Sequence, residues 1–238
     1  MSGRALVTGG SAGIGRAVVE RLATDGYDCI VFDRVAPEGD LPGRWFEVDL
    51  SDRLDTASAL EQALSSGPIT RLVNNVGVVR PGSLEAASAA DFEAAVSLNL
   101  RCALQCTQAL VPGMKGERFG RIVNISSRAA LGKELRSVYS ATKAGLHGFV
   151  KTWALELGAF GITANAIGPG PIRTALFEAA NPPDSPRTRA IIEGVPVKRM
   201  GQPADIAHAV SFFLDARSGF VTGQVLYVCG GMTVGAVT

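Results

Sequence analysis

Short apolar runs recur along the chain at 5–7, 29–32, 45–48, 71–73, 121–125, 163–167 and 225–228. Their near-continuous apolar character predicts strands covered on both faces rather than strands with one wet face. Between most of them the apolar positions follow a helical period, at 14–24, 54–64, 91–110, 138–157 and 203–214. Alternating strand and helix predicts an α/β chain built on a parallel, doubly wound sheet, seven strands with helices on both faces. No linker, repeat or low-complexity tract interrupts the pattern, so a single domain over 1–238 is expected. The helical period breaks within 173–196, where Pro182, Pro183 and Pro186 crowd one short stretch. A pair of short helices forming a mobile lid is expected there.

Composition narrows the classes. Hydrophobic residues make up 47% and charged residues 19%, which is ample for a packed core and unlike a disordered chain. Lys plus Arg total 23 against 22 Asp plus Glu, so no summed field favours nucleic acid. Cys29, Cys102, Cys106 and Cys229 form no CxxC pair, and the only histidines are His147 and His208. Neither a metal site nor a disulfide framework is expected, and reduced thiols fit a cytoplasmic protein. The N-terminal run from Met1 enters the first strand without an apolar leader, and no later run reaches membrane-spanning length.

The first strand runs into Thr8, Gly9, Gly10, Ser11, Ala12, Gly13, Ile14 and Gly15, and a helix opens there. Backbone N–H groups and the positive end of that helix can face a pyrophosphate, with the glycines allowing close approach. A triphosphate loop would need Gly-Lys followed by Ser or Thr, whereas Gly15 is followed by Arg16 and Ala17. A Rossmann-like dinucleotide site is therefore expected, with Gly9, Ser11, Gly13 and Ile14 against the cofactor. Asp33 ends the second strand, where a carboxylate can accept from the adenosine ribose and repel a 2′-phosphate. NAD is expected over NADP, although Arg34 beside it could hold a phosphate and Asp33 could simply cap the next loop. Asp49, read as ending the third strand, and Leu50 lie near the expected adenine site.

Tyr139 and Lys143 are four residues apart within a helical segment, so they share a face. A phenol of pKa near ~10 needs roughly 4 kcal/mol of preferential phenolate stabilisation to titrate near 7, which a neighbouring ammonium could help supply. Alone, such a pair is more often an ordinary amphipathic face. Here it occurs with the glycine turn, Asn74, Asn75, Val76 and Gly77, Asn99, Ser126 and Ser127, and the segment from Pro169 to Thr174, all in the order of the short-chain dehydrogenase/reductase family, which the chain resembles over nearly its whole length.

The resemblance implies that Tyr139 exchanges the hydroxyl proton, Lys143 lowers its pKa and binds the nicotinamide ribose, Ser127 holds the substrate oxygen, and Asn99 supports a water-linked proton relay. It also implies cofactor contacts from Asn75, Val76 and Gly77, with Val76 in place of the family's alanine, and from Pro169, Ile172 and Thr174 around the carboxamide. Ser126 competes with Ser127: the family spacing to the tyrosine selects Ser126, while strand alternation selects Ser127. Cys229 departs from the family's Asp-Gly-Gly. Cys102 and Cys106, and likewise His147 and His208, are read as packing residues.

Substrate contacts are expected from Ser127, Tyr139, Gly170 and Phe177, in a pocket bounded by 128–136 and by the lid around Leu176. Arg128, Arg136 and Arg173 could greet a carboxylate or phosphate, or be merely solvated. The leading expectation is an NAD-dependent alcohol dehydrogenase that transfers a hydride between NAD(H) and a secondary alcohol/ketone pair, with Tyr139 as its acid/base. The alternatives are an NADPH-dependent ketone or 3-oxoacyl reductase and, further off, a non-catalytic dinucleotide sensor. A homotetramer or homodimer is the family expectation.

Overall fold

The computed structural model describes residues 3–235; Met1 and Ser2 of the N-terminal run lie outside it. Seven parallel strands stand in the order β3-β2-β1-β4-β5-β6-β7. They are β1 (Arg4–Thr8), β2 (Asp28–Asp33), β3 (Arg44–Glu47), β4 (Arg71–Asn74), β5 (Gly120–Ile125), β6 (Ile162–Pro169) and β7 (Val225–Val228). The helices are α1 (Gly13–Thr24), α2 (Arg53–Leu64), α3 (Ala89–Val96), α4 (Cys102–Gly116), α5 (Ser137–Leu157), α6 (Ala175–Ala180), α7 (Pro186–Glu193) and α8 (Pro203–Leu214).

The strands are apolar on both faces because both faces are covered. Leu6 of β1 packs in the cluster under α2, α4 and α5, whereas Ala5 and Val7 pack in the one under α1 and α8. Burying such side chains at roughly 25 cal/mol per Å² is the main term holding the three layers together. Strand order reverses between β1 and β4, which opens a crevice beyond the carboxyl ends of the strands.

Several elements differ from the sequence expectation. Asp49 lies two residues past the end of β3, on the exposed approach to α2. The single helix expected over 91–110 runs as α3, a π-helical turn at Ser97–Arg101, and α4. Periodicity cannot show that turn, because one inserted residue rotates the apolar stripe without breaking it. The proline-rich segment does form two short helices, α6 and α7, with Thr174 and Ser185 accepting from Phe177 N and Thr188 N at their starts. Pro186 falls at the opening of α7, where its missing N–H costs nothing. Among the described residues no helix is long and apolar enough to cross a membrane, and no cluster of His, Cys, Asp and Glu could hold a metal ion.

Candidate active site

β1 delivers Thr8 to the crevice, and the chain turns through Gly9 at φ 67° before α1 begins. A side chain at Gly15 would overlap the Gly9 carbonyl oxygen, so the helix start presses directly on the turn. Asn75 fixes this arrangement: its amide donates to the carbonyls of Thr8 and Gly9, both at 2.9 Å, and its backbone N–H donates to Thr8 Oγ1 at 3.0 Å. Val76 N donates to the same hydroxyl at 3.1 Å. Asn75, expected among the cofactor contacts, spends both amide hydrogens on shaping the turn.

Asp33 reaches back to the turn, with Oδ2 accepting from Ser11 N at 3.0 Å and Oδ1 from Val35 N at 3.3 Å. It therefore caps the following loop as well as facing the crevice, and a carboxylate with about four lone-pair sites keeps capacity for more. The neighbouring Arg34 acts on Asp49, whose carboxyl is held below its usual range mainly by Ser51 and to a lesser degree by that guanidinium. Leu50 is 4% exposed and packs in the core, so only its backbone is left for a ligand. Ile172 is likewise buried, bridging to Gly201.

A dinucleotide suits these residues. The Ser11 hydroxyl is buried beside the turn with no hydrogen-bond partner among the described residues. A buried orphan hydroxyl costs about 1–3 kcal/mol, so it marks where a ligand atom is wanted. Across the crevice, the Thr174 side chain approaches Gly13, and Gly170 N is tied to the Val228 carbonyl at 2.9 Å, which holds the backbone after Pro169 in place.

The second half of the site comes from α5, β5 and the π-helical turn. Lys143 is 3% exposed, donates from Nζ to the Ile125 carbonyl at 2.7 Å, and lies 5.8 Å from the centre of the Tyr139 ring. Burial pushes its pKa down to about 8. One ammonium hydrogen is used, and two remain. A Cβ on Gly77 would lie 3.1 Å from both Lys143 Nζ and Asn99 Oδ1, so that glycine keeps the space in front of the ammonium open.

Burial pushes the Tyr139 pKa up, opposed by its hydrogen bond with the Ser127 hydroxyl and by the Arg136 guanidinium. Lys143, expected to do the lowering, turns its nitrogen toward the Ile125 carbonyl. Without a cofactor, the phenol keeps its proton at neutral pH.

The π-helical turn aims Asn99 inward at 2% exposure, a use such turns often have at functional sites. Its Oδ1 accepts from Val78 N at 2.8 Å, and its amide donates to Val78 O at 3.1 Å and Thr142 Oγ1 at 2.9 Å. Both amide hydrogens are spent, so a relay water would have to be met at an oxygen.

The two serines part company. Ser126 is 3% exposed, and its hydroxyl contacts the Lys143 carbonyl at 2.8 Å and His147 Nε2 at 2.7 Å. Ser127 is only half-buried; its hydroxyl accepts from Ala129 N at 3.1 Å and borders Tyr139. Reading His147 as a packing residue missed this contact, and no one-dimensional signal could have found it. Cys102 and Cys106 are both buried on α4, where hydrogen bonding between them and burial raise the Cys106 pKa. Arg173 pairs with Glu178 at 3.5 Å, whereas Phe177 is half-buried and Leu176 exposed.

Known proteins resemble this chain over nearly its whole length. A family model described as enoyl-(acyl carrier protein) reductase matches residues 9–233. The chain is 38% identical to acetoacetyl-CoA reductase of Allochromatium vinosum, covering 96% of this chain and 97% of that protein. It is 36% identical to the BbsD subunit of a hydroxy(phenyl)methylsuccinyl-CoA dehydrogenase of Thauera aromatica, covering 97% and 96%. A crystal structure of a blue fluorescent protein from a metagenomic library, in complex with NADPH, superposes with a TM-score of 0.88 at 34% identity over 98% of each chain. With its motifs assembled at one crevice and this likeness running nearly end to end, the chain belongs to the short-chain dehydrogenase/reductase family of nicotinamide-dependent oxidoreductases.

Proposed function

We propose that this enzyme interconverts a 3-hydroxyacyl thioester and the matching 3-oxoacyl thioester, with Tyr139 as acid/base and NAD(H) as redox partner. The observation that carries the reading is the Tyr139–Ser127 pair, on which the Arg136 guanidinium acts, next to a group of further cations. Lys133, exposed on the loop before α5, has its pKa lowered by partial burial and by the charges of Arg136, Arg128 and Arg187, so these four cations lie within electrostatic reach of one another. A neutral alcohol leaves that mutual repulsion unanswered, whereas a thioester on a phosphate-bearing carrier relieves it. The thioester enzymes among the relatives point the same way, and so move the substrate from a generic secondary alcohol to the 3-oxoacyl alternative.

The bound nicotinamide would give or take the hydride at the carbinol carbon. Backbone N–H groups of the glycine turn and the Ser11 hydroxyl would hold its pyrophosphate, and Asp33 the adenosine ribose. Lys143 would use its two free hydrogens on the other ribose, and Thr174 with the backbone of Pro169 and Ile172 would take the carboxamide. The Ser127 hydroxyl would turn its one hydrogen from Tyr139 to the substrate oxygen while Tyr139 passes that oxygen a proton. The protonated phenol of the cofactor-free protein is poised for reduction. We propose the whole chain as one catalytic unit with α6 and α7 covering the crevice, working in the cytoplasm as a homotetramer or homodimer.

The NADPH-bound neighbour favours a second reading in which the same site works with NADPH. Following the reduced-nicotinamide absorbance band with acetoacetyl-CoA and each reduced cofactor tests both. Turnover with NADH supports the first reading and turnover only with NADPH the second. Cofactor binding without turnover of any thioester, ketone or alcohol would leave a non-catalytic sensor.

A further inference from the structure

We infer that His147 and Ser126 are a positioning pair for the Ser127–Tyr139–Lys143 site: His147 donates through Nε2–H to Ser126, and Ser126 donates to the Lys143 carbonyl, fixing the end of β5 against α5. The direction follows from counting hydrogens. A serine hydroxyl has one, and a carbonyl has none. At 2.8 Å from the Lys143 carbonyl, the Ser126 hydroxyl must point its hydrogen there, since the reverse would set lone pairs against each other. The 2.7 Å contact to His147 Nε2 then requires the imidazole to donate, which selects the Nε2–H tautomer.

The chain of bonds closes a ring with the catalytic lysine. Lys143 Nζ donates to the carbonyl of Ile125, the residue before Ser126, while the Lys143 carbonyl accepts from Ser126 itself. Ser126 N is in turn tied to the Ile167 carbonyl at 2.7 Å, which anchors the ring to β6. Both ends of Lys143 are thus gripped by two consecutive residues, and the next residue is Ser127. A shift of β5 against α5 would move Ser127, Tyr139 and Lys143 relative to one another, and small misplacements of reacting groups are expensive. On its other side His147 meets the edge of the Tyr227 ring of β7 at 6.2 Å between centroids and the charge of Lys151 of α5. Burial and Lys151 both disfavour its protonation, which keeps it a neutral donor.

This inference rests on the proposed role of Tyr139, so its test uses a readout that needs no substrate. Nitrogen-15 spectra of the histidine rings should show His147 as the Nε2–H tautomer at neutral pH; an Nδ1–H tautomer overturns the proposal. Titrating the lysine side chains by NMR should show the Lys143 pKa rising toward its ordinary value in Ser126→Ala, because the loosened ammonium gains water; an unchanged pKa overturns it. In turnover, His147→Leu should lower kcat about tenfold, a larger change than in KM for cofactor, whereas His147→Gln, which keeps an N–H donor, should recover most of it. Equal kcat and pH profile in wild type and His147→Leu, or equal loss in both variants, overturns the proposal even if the substrate reading stands.

Discussion

Asp33 accepts the backbone N–H of Ser11 at 3.0 Å, so the carboxylate proposed to select the cofactor also braces the turn that would hold its pyrophosphate. Replacing it should therefore have two separable effects. In Asp33→Ala, loss of the ribose acceptor and of the charge that repels a 2′-phosphate should shift the ratio of kcat/KM for NADH over NADPH toward NADPH by about 10- to 100-fold, the range of one charge-assisted hydrogen bond. The freed Ser11 N–H should also raise KM for both cofactors. An unchanged ratio with both KM values raised would reduce Asp33 to its bracing role.

Tyr139→Phe should leave cofactor affinity near that of the wild type and lower kcat by about 10²–10⁴-fold, the usual contribution of a positioned acid/base. Ser127→Ala should also lower kcat, because the hydroxyl left facing the crevice is the one beside Tyr139. Fluorescence titration of NADH beside steady-state rates separates binding from chemistry. Wild-type turnover in Tyr139→Phe would remove the acid/base assignment.

The fold was legible because the sheet is buried on both faces: runs such as 29–32 and 121–125 are apolar for a reason that does not depend on long-range detail. The glycine turn was legible for a similar reason, since Gly15 answers to the backbone of Gly9 only a few residues away. What stayed hidden involves side chains that meet from distant segments. Asn75 carries an amide that any reading would send to a ligand, yet Thr8 and Gly9 take it. Ser126 and Ser127 differ in sequence only by position; β5 ends between a helix and a crevice, and that decides which hydroxyl is free. The four cations come from 128–136 and from α7, and only the folded chain brings Arg187 to Lys133.

The buried ammonium of Lys143 should leave a signature in stability. Its pKa is depressed from the ordinary 10.5 to about 8 in the folded chain. Below about 8 both states carry the proton, and the desolvation penalty on the folded state is fully present. Between about 8 and 10.5 the unfolded chain binds more protons than the folded one, so this group makes stability rise with pH, by on the order of 3 kcal/mol across that window. Denaturant unfolding of the cofactor-free protein should accordingly show wild type gaining on Lys143→Met as pH rises through 8. Parallel curves for the two proteins would place the lysine pKa near its ordinary value.

The four cations drawn from 128–136 and α7 make a prediction about substrate form. Among the described residues no carboxylate lies within ion-pair distance of Arg128, Lys133, Arg136 or Arg187, whereas Arg173 pairs with Glu178. Neutralising two of them in Arg128→Gln/Arg187→Gln should raise KM for acetoacetyl-CoA about tenfold with little change in kcat, because under the proposed function these charges would meet the carrier and not the reacting carbon. Arg136 is left intact there, since its guanidinium also acts on Tyr139. Raising ionic strength should mimic the double variant in the wild-type enzyme, as charges near the surface are screened over about 10 Å at 0.1 M salt. A truncated thioester without phosphates should show neither effect. If acetoacetyl-CoA and the truncated ester respond alike, these cations do not read the phosphates, and a carboxylate on the acyl group becomes the anion to try.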